Sequence, residues 1–288
     1  MSSSRSKMSS KSRCPRSPES GIALVSVLWT LLLLSGLAGA AAFMARTNAT
    51  LTHKQGEIAQ AESTADAAIV NAIGRLSDKK SSRHPPMDGH AQTWEFQGVQ
   101  VKISISNEAG RIDINTAEDD LILAFLCSQG VEEGRATTLL SDLRKLQHAI
   151  NGPAPPGTLR VVEEIKAIPS WTPQEFDCWR DSLTVYTGLP GVTPSGATDQ
   201  VEAALRWANE HRIGNRDRSA AKLIEPTVRS DHSMLGEVIR MVATISPTPG
   251  TTETSEWIGR LTGDPYQPTL TMRWTHEGTS LAVACRKS

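Results

Sequence analysis

The stretch SGIALVSVLWTLLLLSGLAGAAAFMAR, residues 20–46, carries no charged side chain before its last residue, Arg46. The uncharged run from Gly21 to Ala45 is about 25 residues long, which corresponds to about 37 Å of α-helix. Such a helix is long enough to cross the hydrocarbon core of a bilayer, which is about 30 Å thick. The apolar core of a secretory signal peptide is usually only about 7–15 residues long. The length of the run therefore favours a retained membrane anchor.

The residues before this run are basic. Five lysines and arginines precede Gly21 against one acidic residue, Glu19: Arg5, Lys7, Lys11, Arg13 and Arg16. The formal net charge of the whole chain is −1, so the remainder leans acidic. Because basic residues beside a membrane span stay on the cytoplasmic side, we expect a cytoplasmic N-terminus and an exported bulk. The alternative, a basic arm that binds nucleic acid, is disfavoured by the apolar run that follows at once.

The apolar run also contains a motif for signal peptidase. Ala38-Gly39-Ala40 has the small-x-small form that signal peptidase cuts. Cleavage there would release a soluble exported protein that begins at Ala41. The N-terminal residue of the mature protein distinguishes this possibility from a retained anchor.

The region that follows the run, up to Leu76, has the pattern of an amphipathic helix. It contains no proline, and its apolar residues recur at steps of three and four: Ile58, Ala61, Ala65, Ala68, Ile69, Ala72, Ile73 and Leu76. We therefore predict one long helix, with residues 22–45 in the membrane and residues 46–78 in the periplasm. The second half is expected to pack on a soluble domain.

Strand patterns stand on both sides of a long helical block. Before it, apolar and polar residues alternate from Val99 to Ile105, as in a half-buried strand. After it, three further strands are predicted from residues that share a face: Ile239, Met241, Ala243 and Ile245; Trp257, Gly259 and Leu261; Leu270, Met272, Trp274 and His276. We predict an α+β fold, in which the long N-terminal helix packs on a small antiparallel sheet formed by residues 92–110 and 232–285. An all-α domain, residues 111–225, is inserted between the strands.

Within the helical block, helix starts are marked by capping residues. Asn115 or Thr116 can cap a first helix through Leu121, Phe125 and Leu126, and a second helix runs from about Glu132 to His148. A short helix carries Val161, Val162 and Ile165. Thr172-Pro173-Gln174-Glu175 forms a capping box, and Phe176, Trp179 and Leu183 are expected on one face of the helix that follows. The segment 183–192 is extended, and residues 201–212 are helical again.

A faint internal repeat is present in the block. Ala117, Leu121 and Phe125 have the spacing and character of Ala197, Val201 and Leu205. Two copies of a small helical unit would explain it.

The four cysteines are Cys14, Cys127, Cys178 and Cys285, and they form neither a CxxC motif nor a Cys/His cluster. Zinc and dithiol redox motifs therefore find no support. A bridge between Cys127 and Cys178 is one possibility, and the pairing of Cys127, Cys178 and Cys285 stays open because sequence does not show which Cα atoms approach.

No catalytic motif is apparent. The sequence has no GxxxxGK[ST], no HExxH and no GxSxG in a strand–helix context. Glu163 and Glu164 are most simply a solvated helix face. We predict neither catalysis nor a bound cofactor.

The segment VVEEIKAIPSWTPQEF, residues 161–176, resembles a helix-hairpin-helix, a shape that offers backbone N–H groups to phosphate. It supports an alternative function, an exported helix-hairpin-helix protein that binds DNA or protein. However, Pro169-Ser170 removes a donor and adds bulk where glycine is usual. The surrounding charge is not basic, so we expect a module for packing or protein contact and no nucleic-acid binding.

The basic leader ending in Gly21, the apolar helix and its amphipathic continuation together resemble a type IV pilin-like protein. The resemblance implies cleavage by a prepilin peptidase between Gly21 and Ile22, with methylation of the new N-terminus at Ile22. Most members have glutamate as the fifth mature residue, and this chain has Ser26. A carboxylate in lipid is costly unless it is paired, and in a filament it can pair with the N-terminal amine of a neighbouring subunit. A subunit without it is expected at the filament tip.

The interrupted sheet narrows this resemblance to the K-type minor pseudopilins of type II secretion systems, the GspK family. Four stretches carry it, in order: GIALVSVLW (21–29), EAGRIDINTAEDDLILAFL (108–126), VVEEIKAIPSWTPQEF (161–176) and LTVYTGLPGVTPSGA (183–197). The chain departs from the family in lacking glycine at Ile168-Pro169-Ser170-Trp171 and in having only the short loop INGPAPPGT. The inserted domain is therefore expected to be trimmed.

The resemblance also implies a location, partners and a task. The chain is expected to be a single-pass inner-membrane protein that caps the pseudopilus and initiates its assembly, so that folded proteins are exported across the outer membrane. Its implied partners are the I- and J-type minor pseudopilins, the major pseudopilin, the prepilin peptidase and the inner-membrane assembly platform. Structural calcium occurs in some members. Glu253 and Asp264 lie in suitable loops here, but no ligand run supports a site.

Overall fold

The computed structural model describes residues 19–78, 85–96, 98–149, 158–194, 196–211, 236–247, 251–264 and 266–278, with side chains described from residue 23 onward. A long N-terminal helix, α1, runs over Glu19–Ser77 and has 59 residues. The chain divides into two compact units at Glu57/Ile58, within this helix. Each unit is described separately.

The first unit, as far as it is described, consists of the part of α1 up to Glu57. Its side chains are exposed from Ala23 to Gly56. This part is rich in leucine and alanine and contains no proline, which favours an uninterrupted helix.

The second unit begins with the remainder of α1, which packs on a five-stranded antiparallel sheet. The strands are β1 (Gln92–Phe96), β2 (Val99–Asn107), β5 (Val238–Ile245), β6 (Glu253–Leu261) and β7 (Thr269–Glu277), adjacent in that order. The core between helix and sheet is formed by one face of α1 and the inner face of the sheet: Ala61, Ala65, Ala68, Ile69, Ala72, Leu76, Val101, Ile103, Ile105, Ile239, Met241, Ala243, Ile245, Trp257 and Leu261.

Within the second unit, the part of the chain between β2 and β5 forms a helical domain with a core of its own, which we call the helical unit. Its elements are β3 (Ile112–Asp113), α2 (Asp119–Ser128), α3 (Glu133–Ala149), a 3₁₀ turn (Val162–Ala167), α4 (Pro173–Trp179), β4 (Leu183–Thr184) and α5 (Asp199–His211). Helices α2 and α5 pack against each other. The largest fully buried side chains of this core are Ile112, Ile114, Leu121, Phe125, Leu126, Leu139, Leu143, Ile165 and Phe176.

Most predicted elements are present. The periodic residues of the second half of α1 are buried, apart from Ile73, which is half-buried, and Ile58, which is 38% exposed. The capping box at Thr172 is complete. The two copies of the internal repeat lie at the starts of helices α2 and α5, and these two helices contact each other. The helical unit also contains the short parallel β3–β4 pairing, which the sequence analysis did not predict.

Four details of the sequence analysis are corrected by the structure. Helix α2 has Glu118 at its N-cap, without a side-chain cap, in place of Asn115 or Thr116. Leu183 lies in β4, beyond the end of α4 at Trp179. The alternation in β7 is interrupted by a register shift at Ile258/Gly259, which places Leu270 opposite Arg260. The fourth correction concerns the residues before β2. Residues 92–96 form a strand of their own, β1, which pairs with β2 as a hairpin.

Candidate assembly site

The first part of α1 presents a continuous apolar surface. Its large apolar side chains are more than half exposed: Leu24, Val25, Val27, Leu28, Trp29, Leu31, Leu32, Leu33, Leu34, Leu37, Phe43, Met44 and Leu51. Within the described residues, one helix near the N-terminus is long and apolar enough to cross a membrane, judged by length and composition. Exposed apolar surface of this extent marks a site for lipid or for other apolar helices.

Ser26 lies in this apolar surface and binds only its own helix. Its hydroxyl donates a hydrogen bond to the carbonyl oxygen of Ala23 at 2.9 Å, and Thr30 donates to Val27 at 2.9 Å. Such bonds satisfy a hydroxyl within lipid without a partner. Gly21 and Ile22 belong to helix α1, but their side chains lie outside the described residues. Cleavage between them stays a prediction.

Besides its apolar face, the second part of α1 contacts the sheet through a carboxylate, Asp66. It accepts hydrogen bonds from the Ser255 hydroxyl, from Trp274 Nε1 at 2.9 Å and from His276 Nε2 at 3.0 Å. Ser255 lies on β6, and Trp274 and His276 lie on β7. These bonds connect the second part of the helix to the last two strands. Nothing local in the sequence marks Asp66, because the partners of its carboxylate are about 190 to 210 residues away.

Serine, histidine and aspartate meet here, but not as a nucleophilic triad. A catalytic serine donates to the histidine, which is in turn oriented by the aspartate. In this cluster Ser255 and His276 each bind Asp66 directly. The arrangement therefore holds a helix on a sheet and provides no activated hydroxyl.

A row of ion pairs, which we call the polar seam, joins the helical unit to the outer face of the sheet. Glu108, from the turn after β2, accepts from Arg240 of β5 at 2.8 and 2.7 Å. Arg240 also donates to Glu256 of β6 at 2.7 Å. Arg111 lies 3.3 Å from Glu108 and donates to the carbonyl oxygen of Asp181 at 2.8 Å.

The seam continues along β7. Arg273 donates to both carboxylate oxygens of Glu163, at 2.7 and 2.6 Å. Arg180, just after α4, donates to both oxygens of Glu277 at 2.9 and 2.8 Å. Bidentate arginine–carboxylate pairs are among the strongest and most directional contacts in proteins. They fix the orientation of the helical unit on the sheet.

The arginines of the seam lower the pKa values of two of its carboxylates, Glu108 and Glu163. Burial disfavours the charge on Glu108, but the guanidinium groups of Arg240 and Arg111 outweigh it and hold the pKa of Glu108 below its ordinary value. A hydrogen bond from Arg273 lowers the pKa of Glu163. Burial raises the pKa of Tyr186.

The segment resembling a helix-hairpin-helix does not present its backbone donors to solvent. Four N–H groups of its turn are bonded within the segment: Ile168 to Ile165, Trp171 to Ile168, Thr172 to the Glu175 carboxylate, and Glu175 to the Thr172 hydroxyl. Pro169 and Pro173 have no N–H group. These donors are thus not free for phosphate, and Arg135 of α3 is held by Glu175 at 2.9 Å. The geometry is that of a packing module.

The helical unit is further held by Asp113, a buried residue that sequence reasoning missed. Its carboxylate accepts hydrogen bonds from the backbone N–H groups of Asn115, Thr187 and Gly188 and from the Thr187 hydroxyl, at 2.7–3.1 Å. It thereby joins the segments that follow β3 and β4. The related stretches IDINTA and LTVYTG were a signal that these two segments are neighbours.

The cysteines resolve one open question. Cys178 is disulfide-bonded and Cys127 is free, so the possible Cys127–Cys178 bridge is wrong. Burial raises the pKa of the Cys127 thiol. A higher pKa lowers the share of the thiolate, which is the reactive form of the side chain.

The two residues suggested for calcium lie in a turn and at the start of a strand. Asp264 accepts from the N–H of Tyr266 at 2.8 Å in a tight turn, and Glu253 is buried at the start of β6. Among the residues that the structure describes, no group of three or more His, Cys, Asp or Glu side chains could hold a metal ion.

The structure is similar to a chain of the crystal structure of the GspK-GspI-GspJ complex from the type 2 secretion system of enterotoxigenic Escherichia coli, with a TM-score of 0.52. The match covers 80% of this chain and 99% of that chain, at 10% sequence identity. The chain has a pseudopilin fold. At this identity the similarity shows the fold alone, and it confirms the fold class predicted from the sequence.

The similarity to the solved pseudopilin structure lies in the fold, at only 10% sequence identity. The chain matches no protein-family profile and no curated protein. The resemblance to GspK-type pseudopilins, drawn from the order of four short stretches, is confirmed in the fold.

Proposed function

We propose that this chain is a non-enzymatic minor pseudopilin that caps the tip of a type II secretion pseudopilus and initiates its assembly. The observation that carries the proposal is the single helix α1 of a pseudopilin fold, whose first part is apolar and exposed while its second part is buried against the sheet. Such a helix can be held in the membrane and later packed sideways against similar helices.

Two features support a position at the tip. Ser26 leaves the fifth mature position without a carboxylate, so the chain lacks the charge that would pair with the N-terminal amine of another subunit. The helical unit, whose described part contains α2, α3, a 3₁₀ turn, α4 and α5, enlarges the head beyond helix and sheet. A large head disfavours a further subunit above it.

The proposal assigns processing, location and partners. The prepilin peptidase cuts after Gly21, and the mature chain begins at a methylated Ile22. The chain is inserted once in the inner membrane, with its bulk in the periplasm. Its partners are the I- and J-type minor pseudopilins, and with them it engages the major pseudopilin and the assembly platform to drive export of folded proteins.

Co-expression tests the partnership. The full-length chain is tagged and captured with the I- and J-type minor pseudopilins of the same secretion system, and we expect a complex of the three. The major pseudopilin alone is the control, since a tip subunit is expected to bind it weakly. Absence of both minor partners from the capture at micromolar concentration would refute the proposal.

Processing and position are tested separately. N-terminal sequencing is expected to find Ile22, and a protein beginning at Ala41 would support the released binding protein instead. Ser26→Glu is expected to increase the number of copies per pseudopilus, because it restores the pairing charge, whereas Ser26→Ala leaves one copy at the tip. Equal copy numbers in the two variants would contradict the role given to this position.

A further inference from the structure

The polar seam has a break between Glu256 and Arg273. On one side of the break, Glu108, Arg240 and Glu256 are joined by hydrogen bonds of 2.7–2.8 Å. On the other side, Arg273 binds Glu163. Oε2 of Glu256 lies 3.9 Å from Nε of Arg273. An N–H···O hydrogen bond needs about 2.7–3.2 Å, so these two atoms are not directly bonded.

Two polar atoms at the break are buried and without a partner. Arg273 Nε and the hydroxyl oxygen of Thr275 have no hydrogen bond among the described residues. Thr275 is the cross-strand partner of Glu256 and follows Arg273 by two positions on β7, so the three side chains project from the same face of the sheet. Folded proteins satisfy nearly all buried donors and acceptors, because an unpaired one is costly. The two atoms therefore indicate a bound ligand.

The geometry of the seam explains why Arg273 has a donor left over. Two buried arginines of the seam use Nε directly: Arg111 donates from it to the carbonyl oxygen of Asp181 and Arg240 donates from it to Glu108, each at 2.8 Å. Arg273 instead gives both terminal nitrogens to Glu163. Turning its guanidinium toward Glu256 would break this bidentate pair, which is a strong and directional contact.

The chemistry of the three side chains selects the ligand. It has to accept a hydrogen bond from Arg273 Nε and donate one to the carboxylate of Glu256. An anion is repelled by the carboxylate and has no proton to donate, whereas a metal ion or ammonium is repelled by the guanidinium and has no lone pair to offer. A water molecule both accepts and donates, and two atoms 3.9 Å apart can each lie about 2.9 Å from one water oxygen.

We propose that one buried water molecule is bound between Arg273 Nε, Glu256 Oε2 and the hydroxyl of Thr275. Three protein partners are the usual number for a buried water, and a water held in this way is part of the fold. The Thr275 hydroxyl serves as either donor or acceptor, since its proton rotates to suit the water.

The water makes the polar seam continuous. Hydrogen bonds then run without a break from the turn after β2 to the 3₁₀ turn of the helical unit, in the order Glu108, Arg240, Glu256, water, Arg273 and Glu163. Members of a connected network polarise and strengthen one another. The water thus joins the half of the seam at the insertion of the helical unit to the half on β7.

Water contact is measured by NMR on the full-length protein in detergent micelles, with ¹⁵N in the arginine side chains. We expect a rotating-frame Overhauser cross-peak between Arg273 Hε and water, with the sign that distinguishes a bound water from proton exchange. Arg273→Lys assigns the Hε signal through its loss. Hε of Arg111 and Arg240 are internal controls without such a cross-peak, because both donate directly to protein atoms. Absence of the cross-peak at Arg273, or equal cross-peaks at all three, would overturn the proposal.

Thr275→Asn tests the position of the water. The longer side chain brings an amide oxygen to Arg273 Nε and an NH₂ group to Glu256, so it takes the place of the water and the cross-peak is expected to be lost. Thr254→Asn, on the same face of the neighbouring strand β6, is the matched control and is expected to keep it. A cross-peak that persists in Thr275→Asn would put the water elsewhere and refute the assignment.

A crystal structure of the full-length chain, at a resolution that shows ordered water, gives an independent measurement. We expect a water oxygen within about 3.2 Å of both Arg273 Nε and Glu256 Oε2. A direct hydrogen bond between these two side chains in its place would contradict the proposal. The proposed function does not depend on the result.

Discussion

Arg240 donates from Nε and from one terminal nitrogen to the two carboxylate oxygens of Glu108, at 2.8 and 2.7 Å, and both side chains are almost fully buried. Glu108 stands where the chain leaves the sheet for the helical unit, and Arg240 stands where it has returned. One ion pair therefore closes the insertion point. Because both side chains are buried, the pair stabilises only the fold that brings them together, since either charge would be costly to bury without the other.

Removing one charge of the Glu108–Arg240 pair is expected to lower the stability of the fold strongly. In Glu108→Gln, Arg240 loses its bidentate partner in a buried position, and the free energy of unfolding is expected to fall by about 3–5 kcal/mol. Denaturant unfolding followed by circular dichroism measures it.

Lys145→Met removes an exposed pair with Asp142 and is the matched control, with an expected change below about 1 kcal/mol. A loss in Glu108→Gln no larger than in this control would show that the buried pair does not hold the insertion point.

Stability is expected to fall in acid because of the seam. The pKa values of Glu108 and Glu163 lie below their ordinary value of 4.5 in the folded protein. As pH falls from neutral, the unfolded chain binds these protons first, so stability is present above pH 4.5 and is lost below it as the folded pKa values are approached. Urea unfolding between pH 3 and 7 measures this loss. Glu108→Gln with Glu163→Gln is expected to flatten the dependence below pH 4.5; an unchanged slope would assign acid sensitivity to other carboxylates.

Asp66→Asn is expected to loosen α1 from β6 and β7. Ser255, Trp274 and His276 all bond Oδ1 of Asp66, and His276 Nε2 also lies 3.1 Å from Oδ2. The amide removes the negative charge that these donors share and places an NH₂ group where Oδ2 faces His276. We expect the free energy of unfolding to fall by about 1–3 kcal/mol, with altered fluorescence of Trp274. Glu62→Gln, one turn earlier on the same helix, is the control and is expected to change stability by less than about 0.5 kcal/mol. Equal effects in the two variants would contradict the role of Asp66.

The capping box of α4 offers a local test. Thr172→Ala removes the hydroxyl that accepts from the Glu175 N–H, and we expect a loss of about 1 kcal/mol. Thr137→Ala, in the middle of α3, removes a hydroxyl that only bonds back to Glu133 and is expected to be neutral or slightly stabilising. Thermal unfolding compares them. The prediction fails if both variants melt at the same temperature.

Gly110 lies where two chain segments touch. A Cβ atom there would meet the backbone of Gly196 and Ala197, so Gly110→Ala is expected to cost about 1–3 kcal/mol. Gly134 lies in helix α3, and a Cβ atom added to it has ordinary contacts. Gly134→Ala is therefore expected to stabilise by up to about 1 kcal/mol. Opposite signs in the free energy of unfolding are the expected result, and two equal values would contradict the close approach at Gly110.

Elements with a regular repeat were predictable. The three- and four-residue steps in the second half of α1 and the alternation in β5 identified residues that are buried, such as Ile69 and Met241. The capping box at Thr172 was predictable because its two hydrogen bonds lie within four residues. In contrast, the cap of α2 was not, because Asn115 instead bonds the backbone of Leu159, 44 residues away.

The polar contacts that position the parts were not predictable. Glu163 looked like a solvated helix face, but it binds Arg273, 110 residues later. Glu108 and Arg240 have ordinary neighbours in sequence and become partners only when β5 lies beside β2. The bulge between β6 and β7 likewise depends on both strands and overrode the alternation at Leu270.

Hydrophobicity and repeat length, which act between near neighbours in the chain, already predict the long helix, its apolar and amphipathic halves and the order of strands and helices. The pairing of charges, the contact of Asp66 with the last strands and the exclusion of Cys127 as the partner of Cys178 emerge only in the folded chain. A hydrogen bond or a disulfide depends on a few ångströms in space, and the spacing of residues more than 40 positions apart does not encode such distances.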